Sequence, residues 1–193
     1  MCSVPVLTLA QCTLHARHGV PGIPSTRFVA FVADPSKLAP SELMGALNAA
    51  AAAAGWEPFA AVDAALMVFV LSAVPVARLD ALLGTVAACV RPGGALLVRD
   101  YGLFDLPMLR FARGAAVSGG QGRVFMRQDG TLARFFDREE LEAAVTAGAA
   151  GAGAPVACDA AEWCCVVVRN RATGEAMRRV FVHAAFCRVE GGV

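Results

Sequence analysis

Two short segments combine acidic, aromatic and basic residues in a way that suits a charged ligand. Arg99-Asp-Tyr-Gly102 follows a buried apolar run, and Arg127-Gln-Asp-Gly-Thr131 lies further along the chain. A carboxylate stabilises positive charge that develops in a reaction, an arginine pairs with phosphate, and an aromatic ring stacks on a base. The two segments therefore predict a site that makes all three kinds of contact.

Arginine is concentrated around these segments, but its number alone carries little weight. Sixteen of the seventeen basic residues are arginine, and the net charge of +1 argues neither for nor against a nucleic-acid partner. Nearby aspartates also offer several of the arginines an ion-pair partner. We predict phosphate contacts chiefly for Arg110 and Arg127. The arginines between residues 99 and 138 are Arg99, Arg110, Arg113, Arg123, Arg127, Arg134 and Arg138.

Apolar and helical runs alternate in the first half of the chain. Nearly continuous apolar strands that alternate with helices predict an α/β fold with a mostly parallel sheet and helices on both faces. Ligands of such sheets bind at the carboxyl ends of the strands, which here are Asp34, the segment Val68–Ser72, and Asp100 onward. In chain order the runs are the strand Arg27–Ala33, the helix Ser36–Ala54, the strand Ala64–Leu71, a helix after Pro75, and the strand Ala95–Val98.

The second half begins with an irregular excursion over Tyr101–Thr131, the kind of segment that carries function. Asp137 with Glu140 predicts the start of a helix that runs to about Gly148. The runs Trp163–Arg169 and Arg179–Phe186 predict a closing hairpin of antiparallel edge strands. We interpret the chain as an irregular segment 1–26 followed by one domain, 27–190.

The remaining composition narrows the class of protein. Seven cysteines without a CxxC pair favour reduced thiols and no metal site, and no apolar run has the ~20 residues that span a bilayer. A soluble protein is expected. The first 33 residues contain no acidic residue. This composition leaves open an organelle transit peptide or an irregular remnant, in which Val4–Leu9 has the pattern of a short strand.

Four runs carry a resemblance to a known family. The runs VRDYGLFDLPMLRF, GGQGRVFMRQDGTLARFF, FVLSAVP and RPGGALLVRD together closely resemble the methyltransferase-like tRNA N3-methylcytidine enzymes. The likeness extends from about Phe28 to Cys187. It implies a Rossmann-like class I methyltransferase fold, S-adenosylmethionine as methyl donor, and a cytosine in a tRNA anticodon arm as acceptor.

The resemblance also implies roles for individual residues. The positions that contact the cofactor are matched here by Asp34, Pro35 and Val68, and Phe69 follows Val68 at the same strand end. Pro35 replaces the usual leucine and lacks its amide donor. Asp34 taken alone fits better as a helix-capping or turn aspartate before proline. Asp100 and Asp129 are the predicted carboxylates that stabilise charge on the cytosine. The predicted acceptor contacts are Tyr101, Arg110, Arg127, Gln128 and Thr131.

One departure from the family pattern is an absence. A glycine-rich loop for the methionine part of the cofactor is expected before Arg27, and His18-Gly-Val-Pro-Gly22 does not match it. We therefore expect an N-terminally truncated methyltransferase domain. The alternatives are an inactive methyltransferase-like protein that binds RNA or a protein partner, and a small-molecule methyltransferase. For the truncated methyltransferase we expect tRNA as substrate and an aminoacyl-tRNA synthetase as helper protein. We expect a location in the cytoplasm or nucleus, or in an organelle after import.

Overall fold

The structure is a computed structural model that describes residues 29–111, 116, 117 and 120–190. The segment 1–26, with the strand predicted at Val4–Leu9, lies outside these residues. Elements are numbered within the described part. The helices are α1 (Pro40–Ala53), α2 (Val76–Cys89), α3 (Leu106–Arg110) and α4 (Arg138–Gly151). The strands are β1 (Val62–Val68), β2 (Val90–Tyr101), β3 (Val124–Met126), β4 (Leu132–Arg134), β5 (Val156–Arg169) and β6 (Ala176–Arg188).

Four strands form the main sheet in the order β1-β2-β6-β5, and β3 pairs with β4 in a separate hairpin. β1 and β2 are parallel and are joined through α2, whereas β6 is antiparallel to both β2 and β5. The predicted α/β class and the C-terminal hairpin are confirmed. The described sheet is mixed rather than mostly parallel, because β6 runs antiparallel to both of its neighbours, β2 and β5. Of the two hairpin strands, which were both predicted at the edge, β6 is an interior strand and β5 lies at the edge.

The predicted strand Arg27–Ala33 is not formed over its described part. Residues 29–33 are not in a strand, and the outer edge of β1 has no partner among the described residues. A strand exists only through the hydrogen bonds of a neighbour, which the periodicity of one segment cannot show. The following helix also begins later than predicted, at Pro40, because the residues after Asp34 form a turn.

The core lies on one face of the sheet. Leu96, Val98, Val182 and Phe186 point to this face and are buried with the apolar sides of α2 and α4. The opposite face of the sheet is open around β1, where Leu66 is 67% exposed. In the described residues the helices therefore do not cover both faces, as a doubly wound sheet would require. None of these helices is both long and apolar enough to cross a bilayer.

The start of α4 is fixed by the residues that predicted it. The Asp137 carboxylate accepts a 2.6 Å hydrogen bond from the Glu140 N–H, which caps the first turn. The Arg123 guanidinium donates 2.7 Å hydrogen bonds to the carboxylates of both residues. These bonds join α4 to the loop before β3. The Phe136 N–H donates a 2.9 Å hydrogen bond to the Tyr101 carbonyl, which places the end of the β3–β4 hairpin beside the carboxyl end of β2.

Candidate active site

Asp100, at the end of β2, is fully buried. Its carboxylate accepts hydrogen bonds from the Ser72 N–H at 3.0 Å and from the Tyr101 N–H at 2.8 Å. Burial raises the pKa of Asp100, and the hydrogen bonds from Ser72 and Tyr101 only partly offset that effect. The carboxylate thus fastens the turn after β1 to the end of β2, and it faces protein N–H groups rather than an open surface.

Tyr101 is the next residue, and its side chain points to the opposite face of β2. Its ring stacks on Phe69 with centroids 4.8 Å apart and an interplanar angle of 24°. Phe135 lies 5.8 Å and Phe181 6.3 Å away. Phe69 adopts a positive φ of 55°, which turns the chain at the end of β1. The carboxyl ends of the two parallel strands therefore meet in an aromatic cluster.

The glycine that follows Tyr101 is required by close packing. A Cβ atom at Gly102 would lie 2.7 Å from the ring of Trp163 and 2.9 Å from Val180, too near for any larger residue. Trp163 therefore packs against the end of β2. Gly102 therefore lets β5 and β6 approach the strand end that carries Tyr101.

A cavity of about 240 Å³ opens beside this cluster. Aromatic rings and two guanidinium groups form its walls, so it offers stacking surfaces together with positive charge. We call it the aromatic–arginine pocket. It is lined by Tyr101, Pro107, Phe111, Arg127, Phe135 and Arg179. Its volume is below the roughly 300–1,000 Å³ of drug-sized sites, which suits one planar group such as a single base.

Arg179 is held in the pocket wall by Asp105. The Arg179 Nε and Nη2 atoms each donate a 2.9 Å hydrogen bond to the fully buried Asp105 carboxylate, which also accepts a 3.0 Å hydrogen bond from the Val180 N–H. The carboxylate raises the pKa of Arg179 and balances its charge. Sequence reasoning assigned no role to Arg179, Pro107 or Phe111, and it considered Asp105 only as an ion-pair partner for the arginines between residues 99 and 138. The partners Asp105 and Arg179 lie far apart in the chain, and no local pattern links them.

The segment Arg127–Thr131 is the turn of the β3–β4 hairpin. Arg127 and Thr131 close it through a 2.8 Å backbone hydrogen bond, and Gly130 takes the positive φ of 79° that this three-residue loop needs. The Asp129 carboxylate accepts hydrogen bonds from the Thr131 N–H at 2.9 Å and hydroxyl at 2.7 Å. These bonds lower the pKa of Asp129. The Asp-Gly pair thus shapes the turn.

The predicted acceptor residues of this turn separate into two groups. The Arg127 side chain folds back, donates a 2.9 Å hydrogen bond to the Leu132 carbonyl and enters the pocket wall. Gln128 and Asp129 are exposed at the turn, and they do not line the pocket. Thr131 bonds to Arg127 and Asp129 and so orients both. A charge-stabilising role for Asp129 stays a prediction.

Arg110 lies outside the pocket wall. It forms a 3.0 Å ion pair with Glu175, and both side chains are more than half exposed. The pair joins α3 to the turn between β5 and β6. Because exposed pairs contribute little, a ligand phosphate can displace Glu175 at low cost. The phosphate contact at Arg110 stays a prediction.

The predicted cofactor residues are not brought together as a group. Asp34 accepts hydrogen bonds from the Ser36 N–H at 3.2 Å and hydroxyl at 2.6 Å, and it pairs with Lys37 at 2.9 Å. These bonds lower the pKa of Asp34 against the opposing effect of burial, the largest single influence. They match the interpretation as a turn aspartate, and Pro35 belongs to the same turn.

The other two cofactor candidates end β1. Val68 is 41% exposed, whereas Phe69 packs on Tyr101. Residues 69–73, which follow β1, contain no glycine that would admit a cofactor to the backbone. The residues before Arg27, where the glycine-rich loop is expected, lie outside the described residues, so the described residues alone do not complete a site for S-adenosylmethionine. Within the same residues, no group of three or more His, Cys, Asp or Glu side chains is placed to hold a metal.

The fold and the pocket define an α/β domain whose strand ends carry an aromatic cavity with two arginines in its wall. Over part of its length the chain is similar to curated tRNA N(3)-cytidine methyltransferases, and no family model matches it. It is 37% identical over 89 residues to human tRNA N(3)-cytidine methyltransferase METTL2B, covering 46% of this chain and 23% of that protein. It is 40% identical over 84 residues to tRNA N(3)-methylcytidine methyltransferase Mettl2 of Drosophila melanogaster, covering 44% and 25%.

The chain thus spans about a quarter of the length of the curated relatives it matches. Among solved structures, a SAM-dependent methyltransferase from Methanosarcina mazei is 20% identical, with a TM-score of 0.43, over 68% of this chain and 61% of that one. Because this structural overlap is partial, the α/β assignment rests on the strand order and connections described above.

Proposed function

We propose that this chain forms the acceptor side of an S-adenosylmethionine-dependent methyltransferase that makes N3-methylcytidine in the anticodon arm of a tRNA. The aromatic–arginine pocket carries the proposal, because the two most characteristic segments, RDYG and RQDGT, supply Tyr101 and Arg127 to one cavity. The choice of reaction and substrate is supported by the similarity to tRNA N(3)-cytidine methyltransferases.

The pocket suits an unpaired cytosine. N3 lies on the pairing edge of the base, so the nucleotide must leave its helix or come from a loop before it can react. Tyr101, Phe111 and Phe135 offer ring faces for stacking, and Arg127 offers charge to the adjoining phosphate. Neutral cytosine carries a lone pair on N3, and its methylation therefore depends on alignment more than on a general base.

The charges of the pocket agree with that reaction. Methylation at N3 makes the base positive, and two free guanidinium groups beside it would oppose the change. The Asp105 carboxylate balances the Arg179 charge at 2.9 Å, so that part of the wall adds little net charge. Arg127 then remains as the charged group for the phosphate.

A second function has an observation of its own in its favour. Because the described residues do not form a cofactor site, an RNA-binding module without methyl transfer would use the same pocket. Both functions require the pocket to bind unpaired cytidine. They differ only in whether the bound base is methylated.

Fluorescence anisotropy with the whole chain tests both functions. The probes are a stem–loop RNA with one unpaired cytidine in its loop and a fully paired duplex of the same composition. We expect preference for the stem–loop and a loss of about 1–3 kcal/mol in Tyr101→Leu, the contribution of one stacked base. Arg127→Gln should also weaken binding, whereas Arg91→Gln, at the other end of β2, should not.

Incubation of the stem–loop with S-adenosylmethionine, followed by digestion and mass spectrometry, separates the two functions. N3-methylcytidine in the digest identifies the enzyme, and tight binding without product identifies the RNA-binding module. Equal affinity for stem–loop and duplex, with no effect of Tyr101→Leu, would refute both.

A further inference from the structure

Arg179 enters the pocket from β6 with one edge of its guanidinium already in use. Side chains alternate along a strand, so Arg179 and Phe181 lie on the same face of the sheet as Tyr101, which pairs with Phe181. The Asp105 carboxylate accepts a 2.9 Å hydrogen bond from Nε and another of 2.9 Å from Nη2. This arrangement occupies one edge of the planar group and leaves Nη1 at the opposite corner.

The Nη1 atom of Arg179 is available to a ligand. It makes no hydrogen bond within the part of the chain that the structure describes, and it is not one of the buried side-chain atoms left without a partner there. Solvent therefore reaches Nη1. Because the Arg179 side chain lines the pocket and is 21% exposed, its remaining N–H groups can meet an acceptor inside the cavity.

The direction of this donor is fixed by its surroundings. The Arg179 Cζ lies 5.1 Å from the centroid of the Phe181 ring and 5.8 Å from that of Tyr101. The Asp105 carboxylate is fully buried and also accepts a 3.0 Å hydrogen bond from the Val180 N–H, which holds the carboxylate itself. The donor is therefore oriented before a ligand arrives, and its ordering adds little to the cost of binding.

The charges of the two pocket arginines favour different acceptors. Asp105 balances the charge of Arg179, so Arg179 can donate to a neutral carbonyl oxygen without leaving an uncompensated charge in the pocket. Arg127 differs, because its hydrogen bonds in the described residues go to the neutral oxygens of Leu132 and Thr131. Arg127 is thus the better partner for a phosphate, and Arg179 is the better partner for the base.

We propose that Arg179 Nη1 donates a hydrogen bond to the O2 carbonyl of the pyrimidine in the pocket, and that Asp105 is the positioning residue that orients Arg179. The inference rests on the proposed function and adds what sets the orientation of the base. Stacking on a ring holds the plane of a base but leaves it able to turn within that plane. O2 is adjacent to N3 on the pyrimidine ring, so a bond to O2 fixes the direction of N3. Methylation at N3 depends chiefly on that alignment.

Fluorescence anisotropy with the whole chain tests the contact at the level of one base atom. The probes are two stem–loop RNAs that carry cytidine or 2-thiocytidine at the unpaired loop position, and the sulfur of 2-thiocytidine is a weak acceptor. The measured quantity is the ratio of the affinity for the cytidine RNA to that for the 2-thiocytidine RNA. Arg179→Lys keeps a cation beside Asp105 but lacks Nη1. Its ratio should be roughly three- to tenfold lower than that of the wild type, the scale of one hydrogen bond.

Two further variants separate the roles of the neighbouring residues. Arg127→Gln is the matched control from the same pocket. It should weaken binding of both RNAs equally and reduce the slope of log affinity against log salt by about 0.7, the value for one phosphate of a single strand, while the ratio stays unchanged. Asp105→Asn keeps Nη1 but removes the carboxylate that orients it, so its ratio should fall as in Arg179→Lys. Each variant is measured well below its own Tm.

The outcomes distinguish this inference from the proposed function. A wild-type ratio in Arg179→Lys, while Tyr101→Leu still lowers affinity, would overturn the contact to O2 and leave the proposed function standing. Equal binding of the two RNAs by the wild type would overturn it too, and that comparison needs no variant. A smaller salt slope in Arg179→Gln with an unchanged ratio would assign Arg179 to a phosphate. An unchanged ratio in Asp105→Asn would remove the positioning role of Asp105. If Tyr101→Leu also has no effect, the proposed function fails as well.

Discussion

Replacement of Asp105 by asparagine should destabilise the fold and loosen the pocket wall. Asp105 is fully buried, and its carboxylate accepts two hydrogen bonds of 2.9 Å from Arg179 and one of 3.0 Å from the Val180 N–H. Asparagine has nearly the same shape but loses the charge and one acceptor. Its NH₂ group would then face the guanidinium, donor against donor.

The size of the effect follows from the burial of the pair. Removal of one partner of a buried ion pair costs about 3–5 kcal/mol, because the other charge is left buried without compensation. The Arg179 side chain retains 21% exposure, and asparagine keeps one acceptor oxygen, so the loss should lie at or just below the lower end of that range. We expect a loss of about 2–3 kcal/mol in the free energy of unfolding. At roughly 2–4 °C per kcal/mol for a chain of this length, the Tm should fall by about 4–12 °C.

Thermal unfolding followed by far-ultraviolet circular dichroism measures this shift. Asp63→Asn is the matched control, because Asp63 also pairs with an arginine but is 87% exposed in its side chain. An exposed pair contributes about 0–1 kcal/mol, so the control should melt within about 4 °C of the wild type. If Asp105→Asn melts no lower than Asp63→Asn, the ion pair does not stabilise the fold, and the argument for a fixed Arg179 fails.

Three further predictions follow from the described contacts. Because burial raises the pKa of Asp100, its carboxylate binds a proton more tightly in the folded protein than in the unfolded chain. The stability of the wild type relative to Asp100→Asn should therefore increase as the pH falls from 7 toward about 4, the usual pKa of an aspartate. Urea unfolding at pH 7 and pH 5 measures this difference. Gly84→Ala should lower the free energy of unfolding by about 1–3 kcal/mol, because the new Cβ would lie 2.8 Å from the Cβ of Ala152. Gly45→Ala, with no atom within 4 Å of the new Cβ, should raise it by up to about 1 kcal/mol. Equal effects of the two variants in urea unfolding would contradict this packing. Asp129→Ala should lower the stability of the hairpin turn slightly through loss of the bonds to Thr131, and stem–loop affinity measured beside Tyr101→Leu shows whether Asp129 also matters for the RNA.

The regular elements could be predicted because their determinants are local. The helix start at Asp137, the apolar face of α2 and the strand β2 all depend on residues within a few positions of one another. The β5–β6 hairpin could also be predicted, because its turn lies between two strand-like runs. The strand predicted at residues 27–33 differs from these elements because its existence depends on a partner from elsewhere in the chain.

The sequence predicted two of the residues that line the aromatic–arginine pocket, but not the contacts that each residue makes. Tyr101 and Arg127 meet in one pocket as the resemblance implies, because both follow strand ends that converge. Asp100 carries a carboxylate as expected, but whether that group is exposed depends on the turn after β1, which supplies Ser72. The pairing of Asp105 with Arg179 is a contact between distant parts of the chain, and a single sequence contains no sign of it.

The interior position of β6 explains why the pocket can be rigid although its walls come from separate segments. β6 is hydrogen-bonded on both sides, to β2 and to β5, and a strand held at both edges moves less than one held at a single edge. Arg179 and Phe181 lie on this strand and contact Tyr101, while Asp105 binds Arg179 from the loop after β2. The β5–β6 hairpin therefore positions Tyr101, which comes from the middle of the chain, in the aromatic–arginine pocket. Substitutions that weaken β6 should consequently reduce RNA affinity even where they touch no ligand, since the stacking surface of Tyr101 depends on the strand behind it.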